Sequence, residues 1–227
     1  MTSRPLALVT GASKGIGTAI ANALGPTHRL LLGGRDPDSL ATLAAELPDA
    51  VPWRVDLTDE ASLAEATADI GSLDVLVHSA GVAALGTVEQ SRAEDWRVNF
   101  EVNVTAVAEL TRLLLPGLRA ARGHVVLINS GSGLQARPGW GPYAASKFAL
   151  HAFGDALRAE EAGSGLRVTS VHPGRTATPM QQAIVAAEGR DYRPEDFLRP
   201  ESVAAAVLAA VTATPDAHIT EISIRPS

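Results

Sequence analysis

Tyr143 and Lys147 stand four residues apart in the stretch Gly141-Pro142-Tyr143-Ala144-Ala145-Ser146-Lys147. Four residues make about one helical turn, so a helix brings phenol and ammonium to one face. A phenol titrates near pH 10 in water, too high for easy proton exchange at neutral pH. A neighbouring cation favours phenolate and draws that value down. Such a pair suits acid/base work near the working pH. The same spacing also fits an ordinary helix start, and a first turn tolerates Pro142. The pair gains chemical meaning only from its company.

A second stretch, Val9-Thr10-Gly11-Ala12-Ser13-Lys14-Gly15-Ile16-Gly17, follows an apolar run and opens a helical pattern. Gly11 allows a sharp turn. Gly15 and Gly17 lack the Cβ atoms that would block a pyrophosphate or crowd helix against strand. Free N–H groups at the helix start then meet the anion. Gly11, Ser13, Lys14, Gly15, Ile16 and Gly17 are therefore read as the cradle of a dinucleotide.

Positioning these groups requires strands that end at one rim. Apolar strand-like runs occur at 6–9, 29–34, 50–56, 73–81, 123–130, 166–174 and 218–226. Helical patterns lie between them at 16–24, 37–47, 59–69, 93–119, 142–161 and 201–212. The segment 175–200 is the least regular of the second half. Helices alternating with buried strands imply crossover connections and a parallel sheet covered on both faces. The fold expected is α/β, a Rossmann-like doubly wound parallel sheet of about seven strands with helices on both faces. No composition shift divides residues 1–227, so one domain is expected.

The spacing Thr-Gly-x-x-x-Gly-x-Gly resembles that of the short-chain dehydrogenase/reductase family, in its compact single-domain branch. The resemblance runs through residues 5–226. Tyr143 and Lys147 match the family's Tyr-x-x-x-Lys, which implies that Tyr143 is the acid/base and Lys147 its partner and a ligand of the nicotinamide ribose. Ser130, thirteen residues before Tyr143, matches the catalytic Ser that holds the substrate oxygen, with Ser132 as its competitor. Asn103, seven residues after Trp96, matches the helix Asn that holds a water linking Lys147 to solvent, with Asn99 as its competitor. Pro173, Gly174 and Thr178 match Pro-Gly-x-x-x-Thr at the edge of the nicotinamide. Asp56 and Leu57 resemble the adenine-contacting pair, although Asp56 could also cap a helix. Ala80 and Gly81 keep the small residues that allow close cofactor approach. His78 departs from the family's Asn there and reads as a structural residue.

The activity this implies is hydride transfer between a nicotinamide and a small carbonyl or alcohol. The second strand ends Gly33-Gly34-Arg35-Asp36, with no acid at the position where NAD enzymes hold the ribose hydroxyl. Arg35 has a planar fork suited to a 2′-phosphate, and Lys14 adds charge nearby. The expected cofactor is NADP(H). Asp36 precedes Pro37 and reads as a helix cap. Leu134, Trp140 and Met180, with Val82, are candidates for the substrate wall beside Ser130 and Tyr143. Their apolar character favours a neutral or aromatic carbonyl compound.

The chain is 46% hydrophobic and 19% charged, with net charge −6, which argues against nucleic-acid binding. It has no Cys, and its six His form no short-spaced pair, so no metal site is expected. No apolar run reaches the roughly 18 residues of a membrane span, and a cytoplasmic location is expected. By resemblance, the helices at 93–119 and after Tyr143 are subunit contacts, implying a homodimer or homotetramer. Two competing functions remain. A non-catalytic dinucleotide-binding redox sensor would need the glycine loop but not Ser130, Tyr143 and Lys147 together. A sugar-nucleotide epimerase would need a larger segment after Gly174.

Overall fold

The computed structural model describes residues 4–227. Strand residues sort alternately to two sides, as the two-residue period of a strand dictates. Ala7 and Val9 enter one apolar core while Leu8 enters the other; Val126 and Ile128 oppose Val125 and Leu127 in the same way. A strand apolar on both faces must be covered on both faces.

Among the described residues, seven strands form one parallel sheet. They are β1 (Leu6–Thr10), β2 (Arg29–Gly34), β3 (Ala50–Arg54), β4 (Val75–His78), β5 (His124–Ile128), β6 (Arg167–Pro173) and β7 (Glu221–Ile224). Their order is β3-β2-β1-β4-β5-β6-β7, all pairs parallel. Helices α1 (Gly15–Leu24), α2 (Pro37–Glu46) and α8 (Pro200–Val211) place Ile20, Leu40 and Val207 in the core of Val9 and Val126. Helices α3 (Glu60–Thr67), α5 (Ala106–Ala121) and α6 (Gly141–Glu160) place Leu63, Leu110 and Leu150 in the core of Leu8 and Leu127. The direction of chain progression reverses between β1 and β4. That crevice, beyond the strands' carboxyl ends, is where open α/β sheets bind ligands.

Two departures from the expected elements matter for function. The run at 93–119 is not one regular helix: α4 (Ala93–Phe100) passes into a π-helical turn, Glu101–Thr105, before α5. A single wide turn of this kind inserts extra chain without breaking the helix, and often marks a functional site. The irregular segment 175–200 contains a two-turn helix, α7 (Pro179–Ala187). Thr178 caps it by accepting from the Gln181 N–H, with Pro179 in the first turn. Gly189 and the scattered prolines mask this helix in the sequence pattern.

Candidate active site

The loop from β1 into α1 is built by close backbone contacts. Gly11 has φ +65° and Gly15 φ +61°, conformations that suit glycine. A Cβ on Gly11 would stand 2.9 Å from the Ala80 backbone, and one on Gly17 would collide with the Gly11 carbonyl. Ser13, Gly15 and Ile16 are half-buried along the same turn, and Lys14 is exposed. Helices α2 and α3 are capped by Asp36 and Asp59, whereas α1 has neither a side-chain cap nor an acidic residue in its first turn. Its leading N–H groups therefore face outward with the helix dipole behind them, which fits an anionic group such as a pyrophosphate.

Thr10 ties this loop to the neighbouring one, a role the sequence pattern did not reveal. Its hydroxyl donates to the Val77 carbonyl and accepts from the Ser79 and Ala80 N–H groups. Ala80 and Gly81 thereby line the crevice beside Gly11. Arg35 is exposed just beyond β2. Asp36 accepts from the Asp38 and Ser39 N–H groups and is committed to capping α2. Asp56 is exposed, and accepts from the Thr58 N–H and hydroxyl. Those bonds first, and the Arg35 charge more weakly, hold its carboxyl below the usual range. Asp59, not Asp56, caps α3. Leu57 is half-buried against the core of Leu8.

At the far side of the crevice, α6 carries Tyr143 and Lys147 on one buried face, at 8% and 4% exposure. The Lys147 Nζ lies 5.9 Å from the Tyr143 ring centre and donates to the Ile128 carbonyl at 3.0 Å. Burial pushes the Tyr143 phenol up, and a hydrogen bond with Ser130 opposes that shift. Burial draws the Lys147 ammonium down to about 8. The expected lowering of Tyr143 by its neighbour is therefore not a property of the chain alone. Lys147 directs its charge at a carbonyl, and desolvation outweighs it.

Ser130 follows β5 in an extended conformation and accepts the Ser132 N–H on its hydroxyl. Of the two serines, Ser130 is the one close enough to Tyr143 to oppose the upward shift of its phenol. Asn103 sits in the π-helical turn at 1% exposure. Its amide accepts from the Val82 N–H and donates to the Val82 carbonyl and the Ser146 hydroxyl. Asn99, one turn earlier, clamps Ala84 in the same manner. Only Asn103 comes near Lys147: the point that a Gly81 Cβ would fill lies 3.2 Å from Asn103 Oδ1 and 3.9 Å from Lys147 Nζ.

Ser130 and Tyr143 open onto a cavity of about 890 Å³ whose walls also include Leu134, Trp140 and Met180, together with Ile16, Pro173, Gly174 and Thr178. Trp140 packs edge-on to Tyr143, ring centres 5.9 Å apart. A Cβ on Gly15 would stand 3.1 Å from the Thr178 methyl, so the glycine loop and the segment after β6 meet across the crevice. Val82 is not part of that wall. The wall is also more polar than the sequence suggested, because Arg137, Arg175, Gln181 and Arg225 reach it. Arg175 is paired with Glu188 at 2.9 Å. Residues so far apart along the chain gave no local signal; only Gln181, inside the capping pattern of α7, could have been found.

His78 lies outside this set. It is 2% exposed and donates from Nε2 to the Thr111 hydroxyl, which itself donates to the Val107 carbonyl. Burial lowers it to about 3, so it is a neutral tie between β4 and α5.

A crossover sheet with a glycine-built, capless helix start at its reversal point faces Ser130, Tyr143 and Lys147 across the crevice. The short chain dehydrogenase family model matches residues 5–189, and the chain belongs to that family. It is similar to the glycine betaine reductase ATRR of Emericella nidulans, at 37% identity over 99% of this chain, but it spans only 19% of that protein's length. An uncharacterized oxidoreductase of Staphylococcus epidermidis is 31% identical, over 97% of this chain and 96% of the relative. Among solved structures, an alcohol dehydrogenase from Thermococcus sibiricus, complexed with 5-hydroxy-NADP, superposes with a TM-score of 0.88. It is 26% identical, covering 96% of this chain and 95% of that one. Among the described residues no helix is long and apolar enough to cross a membrane.

Proposed function

We propose that this chain is an NADP(H)-dependent oxidoreductase of the carbonyl reductase or alcohol dehydrogenase type, acting on a small carbonyl or alcohol. The observation that carries the reading is the convergence of Ser130 and Tyr143 on one cavity, with buried Lys147 behind them and the capless start of α1 across the crevice. Gly11, Ser13, Lys14, Gly15, Ile16 and Gly17 would hold the pyrophosphate. Arg35 would hold the 2′-phosphate. Asp56 and Leu57 would flank the adenine, and Ala80, Gly81, Pro173, Gly174 and Thr178 the remainder. The NADP analogue of the Thermococcus sibiricus relative agrees with this choice. When bound, the nicotinamide supplies or accepts the hydride.

The chain's own residues handle the oxygen and its proton. In reduction, the Ser130 hydroxyl donates a hydrogen bond to the substrate oxygen and fixes it beside Tyr143. Tyr143 delivers its phenolic proton to that oxygen as the carbon is reduced, and becomes phenolate. The raised pKa of the buried phenol keeps it protonated at neutral pH, the form a proton donor needs. Lys147 stabilises the phenolate once it forms and hydrogen-bonds the ribose. Asn103, near Lys147 beside Gly81, would hold the water that returns the proton from solvent. Leu134, Trp140 and Met180 shape the substrate wall.

Replacing Tyr143 by Phe tests the assignment. Turnover in NADPH oxidation with a panel of ketones, aldehydes and quinones should fall by at least about a hundredfold, in line with loss of general acid catalysis. NADPH binding, followed by fluorescence, should persist. Unchanged turnover would refute the mechanism.

A further inference from the structure

A second cluster of chemically capable side chains lies behind the active site, where α6 crosses the β6–β7 edge. Ser170 pairs with Glu221 in parallel register, so Ser170, His172 and Glu221 share one face of the sheet. Helix α6 covers that face, since a Cβ on its Gly154 would meet the Ser170 hydroxyl. This places His151 of α6 against His172 and Glu221. The imidazole nitrogens and the carboxylate oxygen all lie within 4.8 Å of one another. The His151 Nε2 is 2.7 Å and the His172 Nε2 3.8 Å from the same oxygen, Glu221 Oε1.

We propose that His151, His172 and Glu221 form a binding site for a divalent transition-metal cation of the zinc class. The argument starts at His172, which has 0% exposure. Its Nδ1 is 3.1 Å from the Ser130 carbonyl, a group that can only accept, so Nδ1 carries the proton. In the neutral ring the Nε2 lone pair is then left free. That atom is buried with no hydrogen-bond partner, and the polar atom it faces is a carboxylate oxygen, another acceptor. Two opposed lone pairs invite a cation between them.

A ring that donates one nitrogen's proton to a backbone carbonyl and offers the other nitrogen outward is the usual arrangement of a metal-ligating His. Two nitrogens and one carboxylate oxygen suit zinc, cobalt or nickel; calcium and magnesium prefer oxygen-rich sites. Metal–ligand bonds of about 2.0–2.2 Å put tetrahedral donors roughly 3.3 Å apart. Small movements of His151 and Glu221, both partly exposed, reach that spacing from the distances seen. The surrounding charge is mixed: an acid stands close by, while two arginines nearby are each tied to an acceptor. Asp155 Oδ2 is 3.7 Å from His151 Nε2. Arg158 is paired with Asp155, and Arg225 is bound to the His172 carbonyl. Spacing along the chain hides the site, because its ligands come from α6, β6 and β7.

The test is a titration of the chelator-treated protein with Zn²⁺ by calorimetry, with Mg²⁺ as the control and Co²⁺ as a spectroscopic probe. One Zn²⁺ should bind per chain, Mg²⁺ should not bind, and Co²⁺ should give the absorption bands of a tetrahedral site. His151→Ala and Glu221→Gln should each weaken Zn²⁺ binding by at least about tenfold, since even outer-shell changes cost that much. Thermal melts without metal would show that both variants fold. Absence of saturable Zn²⁺ binding, absence of tetrahedral Co²⁺ bands in the unaltered protein, or unchanged affinity in both variants would each overturn the site.

Discussion

Arg35 shows what a single side chain decides. It is exposed at the end of β2, beside an Asp36 whose carboxylate is occupied with the first turn of α2. Asp36, the acid next to Arg35, is thus unavailable to a 2′-hydroxyl, while the exposed guanidinium fork suits a phosphate. Charge-assisted hydrogen bonds contribute about 1.5–3 kcal/mol. Arg35→Ala should therefore weaken NADPH binding by roughly 10- to 100-fold and leave NADH binding nearly unchanged. Fluorescence titrations of both nucleotides check this, and equal or tighter NADH binding by the unaltered chain would sink the NADP assignment. The Asp36 cap and the shared buried face of Tyr143 and Lys147 were legible from spacing because both depend on near neighbours in sequence. The opposite ionisation shifts of Tyr143 and Lys147 were not, since they follow from burial under distant residues. Nor was Thr10, whose partners Val77, Ser79 and Ala80 belong to another strand and its loop.

At the next scale, the β1–α1 junction works because helix and strand meet with no side chain between them. Gly17 packs directly on the Gly11 carbonyl, a backbone atom that cannot swing aside. Gly17→Ala should therefore lower stability by about 1–3 kcal/mol, as overpacking does, and weaken NADPH binding as the loop opens. Gly163→Ala, at a position with nothing within 4 Å of its would-be Cβ, should have little effect on either. Equal melting temperatures for the two variants would contradict this account of the loop. Apolar periodicity exposed nearly every strand and helix of the sheet. It failed where a local rule was overridden. The π-helical turn leaves no break in the pattern of the helices it joins, so only the folded backbone, which brings Asn103 beside Val82 and Ser146, reveals it. Helix α7 sits among prolines and Gly189, and its Thr178-Pro179 start was a cap hidden by its surroundings.

For the whole molecule, the outer faces of α4 and α6 carry the argument. The two helices pack together; inward, α6 joins α5 in the core of Leu8 and Leu127 and carries Tyr143. Outward, Phe148 is 43% exposed and Phe100, at the end of α4, 36%. Large apolar groups left on neighbouring helices suit a face covered by a second copy of the chain. Two-fold pairing would bury each such surface against its own equivalent. That agrees with the homo-oligomer expected by resemblance, and it would hold α6, and with it Tyr143 and Lys147, more rigidly than one chain can. The unaltered chain should therefore run as a dimer or tetramer in size-exclusion chromatography with light scattering at micromolar concentration. Phe148→Asp should shift it toward monomer, because a carboxylate buried without a partner opposes association. Turnover per chain should fall with the loss of assembly while the fold persists by circular dichroism. A clean monomer for the unaltered chain would remove the assembly from the account and leave α6 to be held by its own core contacts, Leu150 and Leu157.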